Sequence, residues 1–240
     1  MKYDRFGKTK EEIIKYLSSQ KEGSPWAELG TSFYKDKGII SLTETKDNLL
    51  MWSHYGDQHS GMVVEFDITH EFFTSKFSSS DDQFLGKIGK VLYRKERLNK
   101  LGDYLMEPYF HKSNEWAYEK EHRLLLSIYK ADENWIPKNC KDKFISNGYL
   151  KNENLSVLNS SFYKVDKFEC ANIAEDPFYM PMYRLPSNAI KSVTFGCKSS
   201  PEFIAAVKSK LKSNNIENIN LFTSSIDKLD YRLKFEDVKI

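Results

Sequence analysis

The sequence predicts an α+β protein: a mixed, mainly antiparallel sheet with several short helices packed on it, in a single domain over residues 1–240. Three observations carry that expectation. Hydrophobic residues make up 40% of the 240, enough for a core and unlike the apolar-poor composition of a disordered chain. Aromatic side chains are abundant, with 16 Phe, 14 Tyr and 4 Trp, which suits a core built on large flat rings. Strand-length apolar runs and helical stretches mix without the regular βα alternation of a doubly wound sheet, and there is no internal repeat.

The elements follow in order. Residues 9–19 read as a short helix, capped by Thr9 with Ile13, Ile14 and Leu17 as its apolar stripe. Residues 38–42 read as a buried strand. Asp47 stands at an N-cap position, residues 49–55 can make two helical turns, and Gly56 is placed to end them in a left-handed conformation. Residues 62–66 form another strand, and 73–83, rich in Ser and Asp, read as a surface loop. A strand at 88–93 runs into a basic stretch. A helix is expected over 98–111, with Leu98, Leu101 and Leu105 on one side, and a strong strand over 122–129. Residues 131–160, polar and rich in Asn and Lys, read as an irregular insertion or loop. Strands are expected at 162–168, 180–183, 190–195, 219–222 and 231–235. Ser200 caps a helix whose first residue is Pro201, with Ile204, Val207 and Leu211 as its buried stripe.

Composition also excludes. A net charge of +2 is too balanced to argue nucleic-acid binding by itself. The three cysteines, Cys140, Cys170 and Cys197, are widely spaced with no C-x-x-C pair, so a cysteine zinc site is not expected and reduced cytoplasmic thiols are. Cys197 reads as a small buried hydrophobe rather than a nucleophile. The first twenty residues carry no signal-peptide pattern, and no apolar stretch is long enough to span a membrane. The expectation is a soluble, cytoplasmic protein with no membrane partner. The phosphate loop, the dinucleotide fingerprint and the serine-hydrolase elbow are all missing from the sequence.

Three segments can carry chemistry. The first is Trp52-Ser53-His54-Tyr55, with His59 shortly after. His54 can exchange protons near neutral pH, Tyr55 can donate a hydrogen bond or stack on a flat ligand, and Trp52 can stack. The same residue types suit a core anchor, and both readings stay open. His54 and His59 are five apart across a helix end, which does not match a helical metal pair, so no metal is expected. The second is Glu119-Lys120-Glu121-His122-Arg123. If extended, Glu119, Glu121 and Arg123 share a face with Leu125, while His122, Leu124, Leu126 and Ile128 face the core. Two carboxylates and a guanidinium then project together, with Arg123 holding one carboxylate ionised. Such a pair entering a strand is what ADP-ribosyl transfer from NAD can use, although E-x-E is common and a solvated charged face explains it equally. The third is the basic run Lys87, Lys90, Arg94, Lys95, Arg97 and Lys100 around Tyr93. It can follow a phosphate backbone or be a solvated face, diluted by Asp81, Asp82, Glu96 and Asp103.

Two of these segments sit in larger patterns. Ser41-Leu42-Thr43-Glu44, Asp47 to Gly56, and His59 to Asp67 together resemble the hallmark S-x-(T/S)-x … D-N-x-x-M-W-x-H-Y-x … H-x-G-x-x-(I/V)-x-(F/Y)-D of a bacterial domain-of-unknown-function family, DUF2971. Lys112 with Trp116, Tyr118, Glu119, Glu121 and Arg123 resembles its K-x-x-x-W-x-Y-E-x-E-x-R block, and residues 186–196 resemble a weaker third block. Members usually open with a K-Y-R-like strand followed by F-S-x-P-x-x-F-N-D-P-F. Neither is found here, so a chain lacking the usual N-terminal segment is expected. The resemblance implies a bacterial protein whose relatives lie near defence and mobile-element functions, with features reminiscent of ADP-ribosyltransferase-like toxins.

The expected function is therefore a defence-associated effector using NAD or a nucleotide, NAD being substrate rather than resident cofactor. In that reading Glu121, Glu119 and His54 are the catalytic candidates, and Trp52, Tyr55, His59, Arg123 and Trp116 hold the ligand. A non-catalytic module for nucleic acid or a phage protein is the alternative. A metal-dependent nuclease using Glu119, Glu121 and Asp67 is the second alternative.

Overall fold

The computed structural model describes residues 37–78, 84–96, 106–174, 176–216 and 219–238, together with Glu12. It has an α+β fold in which the strands divide among several sheets, mostly antiparallel, linked by short α and 3-10 helices. The expected helices over 9–19 and over most of 98–111 lie outside the described residues.

The first sheet centres on the strongest strand of the sequence. β1 (Lys37–Thr43), β3 (Ile88–Lys90) and β6 (Glu121–Ser127) form it, in the order β1-β6-β3, all antiparallel. Ser41 pairs with Arg123 and Thr43 with Glu121. Residues directly opposite in such a ladder share a face, so the register sets two hydroxyls against two ionic side chains. Leu124 and Leu126 pack on Phe72, Phe73 and Phe77 from α2 (Glu71–Thr74) and the turn after it. Leu125, on the face of Glu121 and Arg123 as expected, packs with Met106 and Phe110 in a second core, so that face is not open to water. Both faces of β6 are therefore covered.

The second sheet has the order β13-β12-β11-β2, from β2 (Met62–Phe66), β11 (Ile190–Phe195), β12 (Asn220–Ile226) and β13 (Leu233–Asp237). Its β11–β12 pair is parallel and the others are antiparallel. The amphipathic helix α4 (Pro201–Ser213), capped by the Ser200 side chain, lays Phe203, Ile204, Val207 and Leu211 on this sheet. The stretch 131–160, expected to be irregular, contains β7 (Glu133–Pro137), α3 (Lys141–Ser146) and β8 (Leu155–Val157). With β9 (Phe162–Val165) and β10 (Met180–Met182) these strands make a third antiparallel sheet over its own core of Ile136, Phe144, Val165, Cys170 and Ile173. Its apolar residues are too few and too scattered to announce it. β4 (Leu92–Arg94) and β5 (His111–Ser113) pair in parallel as a small ribbon beside the first sheet. Among the described residues no helix is long and apolar enough to cross a membrane.

Helix α1 (Leu49–Tyr55) forms where expected, but its caps differ. Asn48, not Asp47, is the N-cap. Its side-chain oxygen accepts from Leu50 and Met51 while its NH₂ group donates to the Tyr118 carbonyl at 2.7 Å. An amide can accept and donate at once, which an ionised aspartate cannot do. Gly56 ends the helix with φ −99°, so it is not left-handed. Glycine is required there by close approach: a Cβ would lie 2.7 Å from the Trp52 ring and 2.8 Å from its carbonyl oxygen. The left-handed residues are Asp57, Gln58 and His59, which turn the chain back into β2. The same logic holds at Gly196, where a Cβ would sit 2.0 Å from the His59 carbonyl oxygen.

Candidate functional site

α1, the end of β1, the start of β2, and the segment leading into β6 surround an open cavity of about 370 Å³. Ser41, Thr43 and Lys46 line it from β1 and the following loop, Met51 and Tyr55 from α1, and Lys112, Glu119 and Glu121 from the opposite side. The two motif segments that were separate in sequence thus meet. The contact between them is direct, since the Tyr55 hydroxyl donates to Glu119 Oε1 at 2.8 Å.

The carboxylate pair is not a solvated face. Glu119 and Glu121 are 3% and 5% exposed. Glu119 lies in a 3-10 helix (Asn114–Glu119) rather than in the strand, and Lys120 between the two acids is left-handed, at φ 46° and ψ 49°. That conformation costs a residue with a Cβ about 1 kcal/mol or more. Here it ends the 3-10 helix and starts β6 while both acids meet Lys112. The Lys112 ammonium bridges Glu119 Oε2 and Glu121 Oε2, the latter at 3.2 Å. Arg123 grips Glu121 from the other side with two parallel bonds, Nε to Oε1 at 2.8 Å and a terminal nitrogen to Oε2 at 3.0 Å. Arg123 also donates to the Tyr109 carbonyl. The Glu121 N–H donates to the Tyr93 hydroxyl at 2.7 Å, and the Thr43 hydroxyl donates to the Glu119 carbonyl at 2.7 Å. Two anions and two cations therefore share one partly enclosed network.

Its electrostatics follow. Burial alone would raise the Glu121 carboxyl, but hydrogen bonds from Arg123, Ser41 and Lys112 outweigh it and hold the group below its ordinary value. Burial pulls Lys112 down, and its bonds to Glu119 and Glu121 more than reverse that, leaving the ammonium above the usual lysine range. The Tyr55 hydroxyl is raised, chiefly by its bond to Glu119. Because folding lowers the Glu121 pKa, its stabilisation is present above the ordinary carboxylate range and is lost as pH falls through the folded value. Relative to a Glu121→Gln variant, the natural chain should lose stability once pH drops below about 4.5, the ordinary value. Thermal melts of both proteins across an acidic pH series check this; a difference that stays constant with pH would contradict it.

The remaining sequence candidates fall elsewhere. Trp52 borders the cavity but is 2% exposed, its indole N–H bound to the Lys46 carbonyl at 2.7 Å, so it anchors α1. His59 stacks on the back of Trp52, with rings 10° from parallel. Its Nδ1 is buried with no partner among the described residues. His54 is exposed and does not line the cavity, lying instead against Tyr118. Trp116 lies outside the lining too, with the Lys112 ammonium 5.0 Å above its ring. Arg123 acts through Glu121 and not at the wall. Among the described residues no group of three or more His, Cys, Asp or Glu could hold a metal ion. The set Glu119, Glu121 and Asp67 is therefore not assembled as one.

Lys112, Ser41 and Thr43 are the site residues that residue-by-residue reading missed, and Tyr93, read only as part of the basic run, joins them through the Glu121 N–H. Lys112 stood inside the quoted K-x-x-x-W block, but its link to both acids depends on the β4–β5 ribbon, which leaves no local signal.

Fold and site together define an α+β protein with a cavity walled in part by ion-paired Lys112, Glu119 and Glu121, the last held from behind by Arg123. Residues 51–124 match the family model described as Protein of unknown function (DUF2971). The span opens inside α1 and closes inside β6, so it takes in Tyr55, Lys112, Glu119, Glu121 and Arg123. No curated protein and no solved structure matches the chain.

Proposed function

We propose that the cavity is the active site of an ADP-ribosyl-transfer type of reaction, with NAD or a related nucleotide as donor. One observation carries this reading: the buried, ionised Glu121 carboxylate lines the cavity beside a second carboxylate, Glu119. The volume suits part of a dinucleotide, since small-ligand pockets run from about 300 to 1,000 Å³.

In the reaction, the bond from the ribose C1′ to the nicotinamide nitrogen breaks and nicotinamide leaves with the bonding pair. An acceptor N–H or O–H forms the new bond to C1′ and loses its proton to water. The sugar carries positive charge between these events. A fixed carboxylate in a site of low dielectric stabilises that charge without having to reorganise. Glu121 takes this role and accepts from a ribose hydroxyl, with Arg123 fixing its rotamer through the two-pronged bond. Glu119 orients the acceptor, and Tyr55, 63% exposed, offers its ring to a flat group. The further reading of a defence-associated effector rests on the family resemblance alone.

Nicotinamide release from NAD by the purified full chain tests the proposal. The Glu121→Gln variant should be slower by roughly 10²- to 10³-fold, the cost of removing one preorganised charge-stabilising group. Undiminished turnover in the variant would sink the assignment. A second reading is favoured by the Lys112 bridge, which already engages both acids. It is a site that binds a nucleotide without transforming it, and NAD binding by calorimetry with no release of nicotinamide would select it.

A further inference from the structure

Matching the ion pairs of the cavity leaves one cation over. Lys112 and Arg123 neutralise Glu119 and Glu121. Lys46 is the remaining charged side chain in the lining. Among the described residues it has no carboxylate partner. Asp47 follows it in sequence and Asp237 pairs with Phe222 between β12 and β13, but both are exposed and neither lines the cavity. Thr45, its neighbour in the lining, carries a hydroxyl that likewise has no partner among the described residues.

Two rings hold the Lys46 ammonium in place. It lies 4.1 Å from the Phe222 ring centre and 4.9 Å from that of Phe235. Phe222 stands opposite Asp237 and Ser224 opposite Phe235, so the two rings are diagonal neighbours on one face of β12 and β13. Thr194 and Val63 continue that face through β11 and β2, and Val63 lines the cavity. The Lys46 backbone is fixed too, since its carbonyl accepts from the Trp52 indole at 2.7 Å. Ring faces attract the positive charge. They offer no oxygen lone pair to the three ammonium N–H donors. The wall therefore holds a positioned, partly buried cation beside a hydroxyl donor, with no anion on it among the described residues.

We infer that Lys46 and Thr45 form an anion subsite in this cavity, taking a phosphoryl group of a small ligand whose hydroxylated end reaches the acid pair on the opposite wall. A lysine ammonium acts as a point charge and suits phosphoryl oxygens, whereas carboxylates favour a guanidinium fork. The one guanidinium of the cluster, Arg123, is off the wall. The cavity of about 370 Å³ lies within the range of small-ligand pockets. The subsite stands on the Lys46 wall alone, and no bond is made or broken there. That the ligand is NAD, with its diphosphate at Lys46, rests on the transfer reading above.

The test is isothermal titration calorimetry of the full chain with ribose 5-phosphate, ribose and succinate, without NAD. Ribose 5-phosphate should bind more tightly than ribose or succinate, and raising salt from about 50 to about 500 mM should weaken it. Lys46→Gln should weaken it roughly 10-fold, the loss of one charge-assisted bond. Thr45→Val should weaken it roughly 2- to 10-fold, the loss of one neutral bond, and decides the matter if the Lys46 variant does not fold. No binding of ribose 5-phosphate, equal affinity for ribose, tighter binding of succinate, salt-independent binding, or an unchanged affinity in both variants each overturns the inference. Since NAD is absent from the assay, failure here leaves the transfer reading standing. Binding of ribose 5-phosphate with no nicotinamide release from NAD overturns the transfer reading alone. Where nicotinamide is released, Lys46→Gln should raise the KM for NAD and spare kcat, the mark of lost ground-state binding. An unchanged KM would remove the diphosphate from Lys46.

Discussion

Replacing Lys112 by methionine should destabilise the protein by about 2–3 kcal/mol, somewhat less than the roughly 3–5 kcal/mol of breaking a fully enclosed ion pair. The Lys112 side chain is 23% exposed while those of Glu119 and Glu121 are 4% and 6%, so the acids bear most of the loss. Methionine keeps the apolar stem of lysine and its packing, which isolates the effect of the charge. Glu121 would keep its double bond from Arg123, whereas Glu119 would keep the Tyr55 hydroxyl as its side-chain donor among the described residues. The penalty therefore concentrates on Glu119. Adding Glu119→Gln to Lys112→Met should recover most of the stability, because the unpaired charge disappears with it. Denaturant unfolding of the two single variants and the double variant closes the thermodynamic cycle. A neutral Lys112→Met variant would show that solvent screens the cluster.

Removing the Trp52 ring should cost more, roughly 3–5 kcal/mol for a buried aromatic cut to alanine. For a chain of this size that is a melting temperature lower by about 6–20 °C. Trp52 is the buried residue of α1. A helix of seven residues is not stable in isolation, so its packing holds it in place. The same ring supports Gly56 and His59, and its N–H satisfies the Lys46 carbonyl. Losing it loosens the end of α1 that aims Tyr55 at Glu119. Trp52→Phe should fall between the two, refilling part of the volume without the N–H donor. Thermal melts of both variants measure the effect, and an unchanged melting temperature in Trp52→Ala would place the anchor of α1 elsewhere.

Period and punctuation fixed much of this protein in advance. The strand at 38–42, the helix at 49–55, the strand at 62–66 and the helix opening on Ser200-Pro201 are all read from local pattern, because their capping groups and apolar positions lie within a few residues of one another. The identity of the two candidate segments was equally local. Their conjunction was not. Whether Glu119 and Glu121 faced water or a cavity depended on Lys112, Arg123 and Tyr55. Lys112 reaches both acids only because β5 pairs with β4. Tyr55 reaches Glu119 only because Asn48 ties α1 to the Tyr118 carbonyl, 70 residues away in sequence. The sheet over 131–182 was hidden for a related reason, since its core gathers residues from several short elements, none apolar enough alone. The sequence by itself determined the fold class, most of the elements and the residues of interest. Tertiary structure decided which of them share a cavity, moving His54, His59 and Trp116 off its wall and Lys112 onto it. Burial and the sign of a neighbouring charge are properties of position in space, and hydrophobic periodicity does not encode which distant cation will neutralise a buried acid.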